Sequence, residues 1–403
     1  MADEMVSDVT KGDATDPDAV GPNTRLAHSG YDAFDCFGFV NPPVVRGSTV
    51  LYPDAATIRS REQPYTYGTA GTPTTRALTS LVSRLEGVDG TVLTSSGLSA
   101  ISLPMLALLA PGDHVLIVDS VYFPARRFAD AVLTRMGVEV EYYGPNENAD
   151  IAERLRPETR LVHLESPASN TFEVQDIAAI AALARERGVL TSIDNTYATS
   201  LLFRPLDHGV DVVMEAATKY PSGHSDVLMG FVSARGDTFR RINAYATDTG
   251  NCVGSDDAAL VLRGMRTMAL RLERQGRTAL HLAQWLDARQ EVGRVLHPAL
   301  PDHPTHELFA RQFKGPSGIF SFVLRGNEAA ADRFLDATQL FGLGYSWAGY
   351  ESLAVPVNLS DRTIAHGPVD GGEGGTLIRL QIGLEDAVDL EADLDRGLRA
   401  ALP

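Results

Sequence analysis

Val189-Leu190-Thr191-Ser192-Ile193-Asp194 is followed, a short interval later, by Asp211-Val212-Val213-Met214-Glu215-Ala216 and then by Thr218-Lys219. Each run is short, apolar and rich in β-branched residues, and each follows a glycine, Gly188 or Gly209. Such runs read as strands buried on both faces of a parallel sheet. Working outward, the same unit repeats. Thr91 to Thr94 is a strand, Ser95-Ser96-Gly97 turns the chain, and Leu98 to Leu109 is an apolar helix ended by Pro111-Gly112-Asp113. His114 to Val118 is a strand, Phe123 to Met136 a helix stopped by Gly137, and Val138 to Tyr142 a strand. Leu161 to Leu164 is a strand and Asp176 to Arg187 a helix; Ala77 to Leu85, stopped by Gly87, is the helix that opens the series. Strands alternating with helices imply parallel βαβ units. Ligands of such sheets bind beyond the carboxyl ends of the strands.

The flanks differ. Met1 to Asp18 is acidic, without an apolar run, and residues 1 to about 22 read as disordered. From Leu26 to Pro64, Pro42-Pro43 and Pro53 interrupt any period, which suggests an extended arm that packs on another subunit. Beyond Gly254, Ser255-Asp256-Asp257 starts a long amphipathic helical stretch reaching Ala288. A loop from His297 to His306, a strand Gly318 to Leu324, a helix Asn327 to Thr338, a strand Thr376 to Ile382 and a helix Leu384 to Leu402 follow. Gly371 to Gly375 reads as a mobile loop. The expected division is 1–64 acidic tail and arm, 65–254 cofactor-binding large domain, and 255–403 smaller α+β domain.

The 403 residues carry a net charge of −17, which argues against a nucleic-acid partner. Arg263, Arg266, Arg271, Arg274 and Arg277 recur at helical spacing and read as a solvated helix face. Cys36 and Cys252 form no CxxC pair, which points to a reduced, cytoplasmic protein. No stretch reaches the roughly 18 apolar residues of a membrane span, and the N-terminus is no signal peptide.

If the strands are parallel, four residues crowd onto one sheet edge: Gly97, Tyr122, Asp194 and Lys219. A helix-start glycine, an aromatic ring, an acid and a lysine are what pyridoxal phosphate needs. Lysine forms an imine with its aldehyde. A carboxylate keeps the ring nitrogen protonated, and the ring then acts as an electron sink. Tyr122 can stack on the ring. The N–H groups of Gly97 and Leu98, with the Thr218 hydroxyl, can hold the phosphate.

Ala217-Thr218-Lys219-Tyr220 and Gly223-His224-Ser225-Asp226 resemble the Cys/Met-metabolism, or transsulfuration, family of pyridoxal-phosphate enzymes. Tyr67-Gly68-Thr69-Ala70-Gly71-Thr72-Pro73-Thr74, Ser96-Gly97, Leu164-Glu165-Ser166-Pro167 and Ile193-Asp194-Asn195-Thr196 agree. The resemblance implies an α/β, aspartate aminotransferase-like fold (fold type I), with a mostly parallel mixed sheet flanked by helices and a smaller α+β C-terminal domain. It implies Lys219 as Schiff-base lysine and proton carrier, Asp194 on the ring nitrogen and Tyr122 on the ring face. Arg379 would grip the substrate α-carboxylate, with Ser346, Tyr345 and Trp347 beside it. Tyr67 would reach the cofactor of a neighbouring subunit, in a homotetramer built as a dimer of dimers. No metal is implied.

Within the family, Tyr345-Ser346-Trp347-Ala348-Gly349-Tyr350-Glu351-Ser352-Leu353 is most similar to the bacterial cystathionine β-lyase branch, and so is Gly375 to Leu380 with Ile382 to Asp386. That implies β-elimination of L-cystathionine to L-homocysteine, pyruvate and ammonia. The alternatives on this scaffold are γ-acting enzymes and cysteine desulfhydrases. There are departures: Thr69 stands where the family usually has an arginine for the cofactor phosphate, Ala70 follows it, and Ser169 replaces a frequent asparagine. Arg126 and Arg127 are candidate substitutes for the missing cation. A serine hydrolase built on Gly344-Tyr345-Ser346-Trp347 is a distant rival, since Ala348 replaces the second glycine of the elbow. His297, His303 and His306 fit no common zinc spacing and read as a solvated loop.

Overall fold

The computed structural model describes residues 20–364 and 375–401. Seven strands form the large sheet: β1 Gly90–Thr94, β2 His114–Val118, β3 Glu139–Tyr143, β4 Thr159–Glu165, β5 Leu190–Asp194, β6 Val212–Glu215 and β7 Gly230–Ala234. Their order is β1-β7-β6-β5-β4-β2-β3. β7 runs antiparallel to both its neighbours, and the pairs among β2 to β6 are parallel. Two reversals restore direction, so β1 points the same way as β6. The carboxyl ends of β1, β2, β4, β5 and β6 therefore share one edge, as the sequence reading required.

Helices cover the faces because each has an apolar stripe and a clear start. Pro73–Glu86 begins at a reciprocal cap, in which Thr75 N–H donates to Thr72 Oγ1 and Thr72 N–H to Thr75 Oγ1. Gly97–Leu108 is capped by the Ser96 hydroxyl, which accepts from Ser99 N–H at 3.1 Å. Its Ala100, Ile101, Leu103 and Met105 enter a core shared with Val115 to Val118, Leu161, Val162, Leu164 and Ile193. A second sheet has the order β10-β11-β12-β9-β8, with β8 Val292–Leu296, β9 Ile319–Arg325, β10 Gly342–Leu343, β11 Leu353–Pro356 and β12 Gly375–Gln381. Phe320, Phe322, Phe334, Ile378, Leu390 and Leu394 form its core.

Several expectations need correction. The helix from Phe123 is α-helical only to Phe128, then a wider π turn, Ala129–Leu133, and a tight turn, Thr134–Met136. The stretch from Ser255 is two helices, Ser255–Met265 and Met268–Asp287, bent at Arg266-Thr267. β7, β8, β10, β11 and the helices Gly236–Asp248 and His306–Gln312 had no counterpart in the sequence reading. The arginine stripe is not a solvated face throughout. Arg271 is buried and donates to the Tyr220 and Gly264 carbonyls, both at 2.8 Å, and Arg266 donates to the Leu26 and Ser29 carbonyls. His297 and His303 are buried rather than solvated. The tail expected to be disordered lies outside the described residues up to residue 19, and Pro22 already opens a short helix, Pro22–His28. The loop Gly371 to Gly375 lies outside them too, except Gly375, which opens β12. The arm is irregular apart from short helical turns, and it leaves Phe34, Phe37, Phe39, Val40 and Leu51 exposed. Among the described residues no helix is long and apolar enough to cross a membrane.

Candidate active site

Strand ends build the site. β5 ends on Asp194, paired in register with Glu165 at the end of β4. Beyond β6 the chain turns through Ala217 and Thr218 to Lys219, whose N–H donates to the Ala216 carbonyl at 2.9 Å. A cavity of about 220 Å³ at this edge is lined by Gly97, Leu98, Tyr122, Glu165, Asp194, Thr218, Lys219, Trp347 and Arg379, among others. Residues from five strand ends and from the second sheet thus meet.

Lys219 Nζ donates to Ser346 Oγ at 2.6 Å and lies 5.3 Å from the Trp347 ring centroid. Burial and the neighbouring Arg379 cation lower its pKa to about 8, against the pull of Asp194. Ser346 has φ 90° and Ala348 φ 69°, so this segment holds a backbone that such residues seldom adopt. Asp194 Oδ1 accepts from Thr196 N–H at 2.9 Å and from the Thr196 hydroxyl at 2.5 Å. Burial raises its pKa, so a cation within reach would favour its charged form. Burial and Asp194 also push Glu165 well up. Glu165 Oε2 accepts from Tyr122 N–H at 2.6 Å and so fixes the backbone that carries the Tyr122 ring.

Not every predicted residue is in the cavity wall. Tyr345 is exposed and lines the adjoining cleft, which it shares with Asn170 and Arg379. Tyr67 is half exposed and bridges to Thr49, away from the cavity of its own chain. The Thr218 hydroxyl is engaged with Met229, donating to its carbonyl at 3.3 Å and accepting from its N–H at 3.1 Å. Neither Arg126 nor Arg127, the candidate substitutes for the missing arginine, lines this cavity. Arg126 is buried, donates to Asp119 Oδ1 at 2.7 Å and to Thr363 Oγ1 at 2.9 Å, and stacks on Tyr142. Arg127 lines a separate surface cleft with Asp130 and Asp361. Glu165 and Asn170 are site residues to which the sequence reading gave no role. Glu165 carried a findable signal, an acid closing a buried strand as Asp194 does.

Residues 23–399 match the family described as Cys/Met metabolism PLP-dependent enzymes. The chain belongs to this family. A Rhizobium johnstonii protein, whose name gives cystathionine beta-lyase as a provisional assignment, is 55% identical over 94% of this chain and 96% of its own length. The cystathionine beta-lyase of Escherichia coli K12 is 39% identical over 93% of this chain and 97% of its own. A crystal structure of cystathionine gamma synthase from Xanthomonas oryzae, in complex with aminoacrylate and cysteine, superposes with a TM-score of 0.88 at 33% identity, covering 95% of this chain and 98% of that one. Proteins named L-alanine/L-glutamate racemase and L-methionine gamma-lyase are also relatives, at 38% and 36% identity. The family fixes the fold, fold type I, and the cofactor, pyridoxal phosphate, while its members run different reactions.

The site's own atoms fit that cofactor. Asp194 leaves Oδ2 for a ring nitrogen, because both its bonds fall on Oδ1. The helix Gly97–Leu108 turns its N-terminus to the cavity, where first-turn N–H groups have no partner within the helix. A Cβ on Gly97 would lie 2.6 Å from Ala216 Cβ, so only glycine allows this close approach.

Proposed function

We propose that the chain is a carbon–sulfur β-lyase that cleaves L-cystathionine to L-homocysteine, pyruvate and ammonia. One observation carries the reading: the Lys219 amine, held 2.6 Å from Ser346 Oγ, lines a single cavity with Asp194, Tyr122 and Arg379. The β-lyase relatives and the β-lyase-like segment Tyr345 to Leu353 support the choice of bond.

Lys219, Asp194, Tyr122, Gly97 and Leu98 would hold pyridoxal phosphate, with Thr218 at the edge of the phosphate end. Bound there, the cofactor supplies a protonated ring that draws the electron pair away from Cα. Arg379 grips the α-carboxylate through two parallel N–H donors. The Lys219 amine, with its pKa lowered to about 8, takes the Cα proton and returns it to the departing sulfur. Ser346 holds that amine in line, Trp347 walls it in, and Tyr345 guards the cleft mouth. Tyr122 covers one ring face and keeps water from it. Tyr67 serves the cavity of a neighbouring subunit in a cytoplasmic homotetramer; the exposed apolar arm supports an assembly of that kind.

The γ-synthase likeness favours one second reading, cleavage at Cγ. Purified protein given L-cystathionine decides between them. Pyruvate with homocysteine, absent in Lys219→Ala, is expected. Release of 2-oxobutyrate with cysteine would replace this reading by the second, and no keto acid at all would end both.

A further inference from the structure

Arg379 reaches the cavity from β12 and forms no ion pair among the described residues. Its Nη1 donates to Asn170 Oδ1 at 3.1 Å. Asn170 is itself held in place. Its φ is 65°, in the left-handed region that asparagine tolerates better than most residues. Phe172 N–H closes its turn onto the Ala168 carbonyl at 3.0 Å, and Ala168 N–H onto the Glu173 carbonyl at 2.8 Å. Buried Arg362 brackets Asn170 from both sides, donating to Thr171 Oγ1 at 2.7 Å and to the Ser169 carbonyl. Asn170 and Arg379 both line the cofactor cavity and the adjoining cleft of about 390 Å³, so they stand at the junction of the two.

We propose that Asn170 is a positioning residue that fixes the rotation of the Arg379 guanidinium, turning its remaining donors toward the substrate α-carboxylate. The proposal rests on the reading of Arg379 as the carboxylate anchor. The residue type matters. A neutral amide oxygen holds one donor of Arg379 and leaves the positive charge intact. A carboxylate there would hold the same donor but cancel the charge that the substrate needs. An apolar side chain would let the guanidinium swing into the cleft.

Asn170→Gly keeps the left-handed backbone and removes the side chain; Asn170→Asp is isosteric and adds charge. The holoenzyme and both variants are titrated with L-alanine, which has a carboxylate and no β-leaving group, and with L-alaninamide, which lacks the carboxylate. The shift of the visible absorption band gives Kd, and a thermal melt checks folding. Asn170→Gly is expected to weaken L-alanine about tenfold, the scale of one charge-assisted hydrogen bond, and to raise KM with kcat nearly unchanged. Asn170→Asp is expected to weaken it further, while L-alaninamide stays within about twofold of wild type throughout, as for an interaction confined to the carboxylate. Unchanged L-alanine affinity in both variants would overturn the proposal, provided Arg379→Gln still erases the preference for alanine over alaninamide. If Arg379→Gln leaves that preference intact, Arg379 is not the anchor, and that reading falls together with the proposal.

Discussion

Trace acetylation of the cofactor-free enzyme, read peptide by peptide by mass spectrometry across pH, should give Lys219 a reactivity midpoint near 8. The cause is local. Burial lowers the pKa from 10.5 to about 8, with Arg379 adding to the effect and Asp194 opposing it. At pH 7 an amine with pKa 8 is about one tenth neutral, whereas an unshifted lysine is neutral roughly once in 3,000. The reacting form is thus enriched roughly 300-fold, which is what a lysine needs to attack an aldehyde at neutral pH. Two substitutions test the attribution, because they must act in opposite directions. Arg379→Gln removes a like charge and should raise the midpoint; Asp194→Asn removes an opposite charge and should lower it. A wild-type midpoint above about 10, the range of a free lysine side chain, would refute the reasoning. So would two substitutions that move it the same way.

Gly97→Ala should weaken cofactor binding about 5- to 150-fold by equilibrium dialysis, since overpacking costs about 1–3 kcal/mol and the new Cβ would meet Ala216 Cβ at 2.6 Å. Unchanged affinity would show that this helix start is not the phosphate seat. Asp119→Ala should cost about 3–5 kcal/mol in chemical denaturation, because it strands buried Arg126 and removes the acceptor for Thr363 and Ile364 N–H. A loss below about 1 kcal/mol would mean that the pair is compensated elsewhere.

The parallel units were legible because their strands are short apolar runs between glycines, and the site followed from where those strands end. Asp194 and Lys219 each sit just beyond such a run, so direction alone brings them together. β7 escaped because Gly-Phe-Val-Ser-Ala at 230–234 mixes glycine and serine among its apolar residues, and one of the two strands that bury it, β1, lies far upstream. Arg271 escaped for a related reason. Helical spacing tells which residues share a face, but not that the Tyr220 and Gly264 carbonyls wait opposite that face. Tyr67 lies on a stretch whose partners, on the resemblance, belong to another subunit. Asn170 gave little local sign, because part of what holds its turn is Arg362, nearly two hundred positions downstream.

The backward strand has a consequence for how the protein is made. Among the described residues β1 has no partner in the sheet other than β7, and the helix carrying Gly97 rests on Gly230, where a Cβ would lie 2.5 Å from the Ser96 carbonyl oxygen. The pairing that places β1 in the sheet therefore forms only once residues 230–234 have been made. On the proposed role of the Gly97 helix start, its phosphate seat is complete only at that point, which would make coenzyme capture a late event of synthesis.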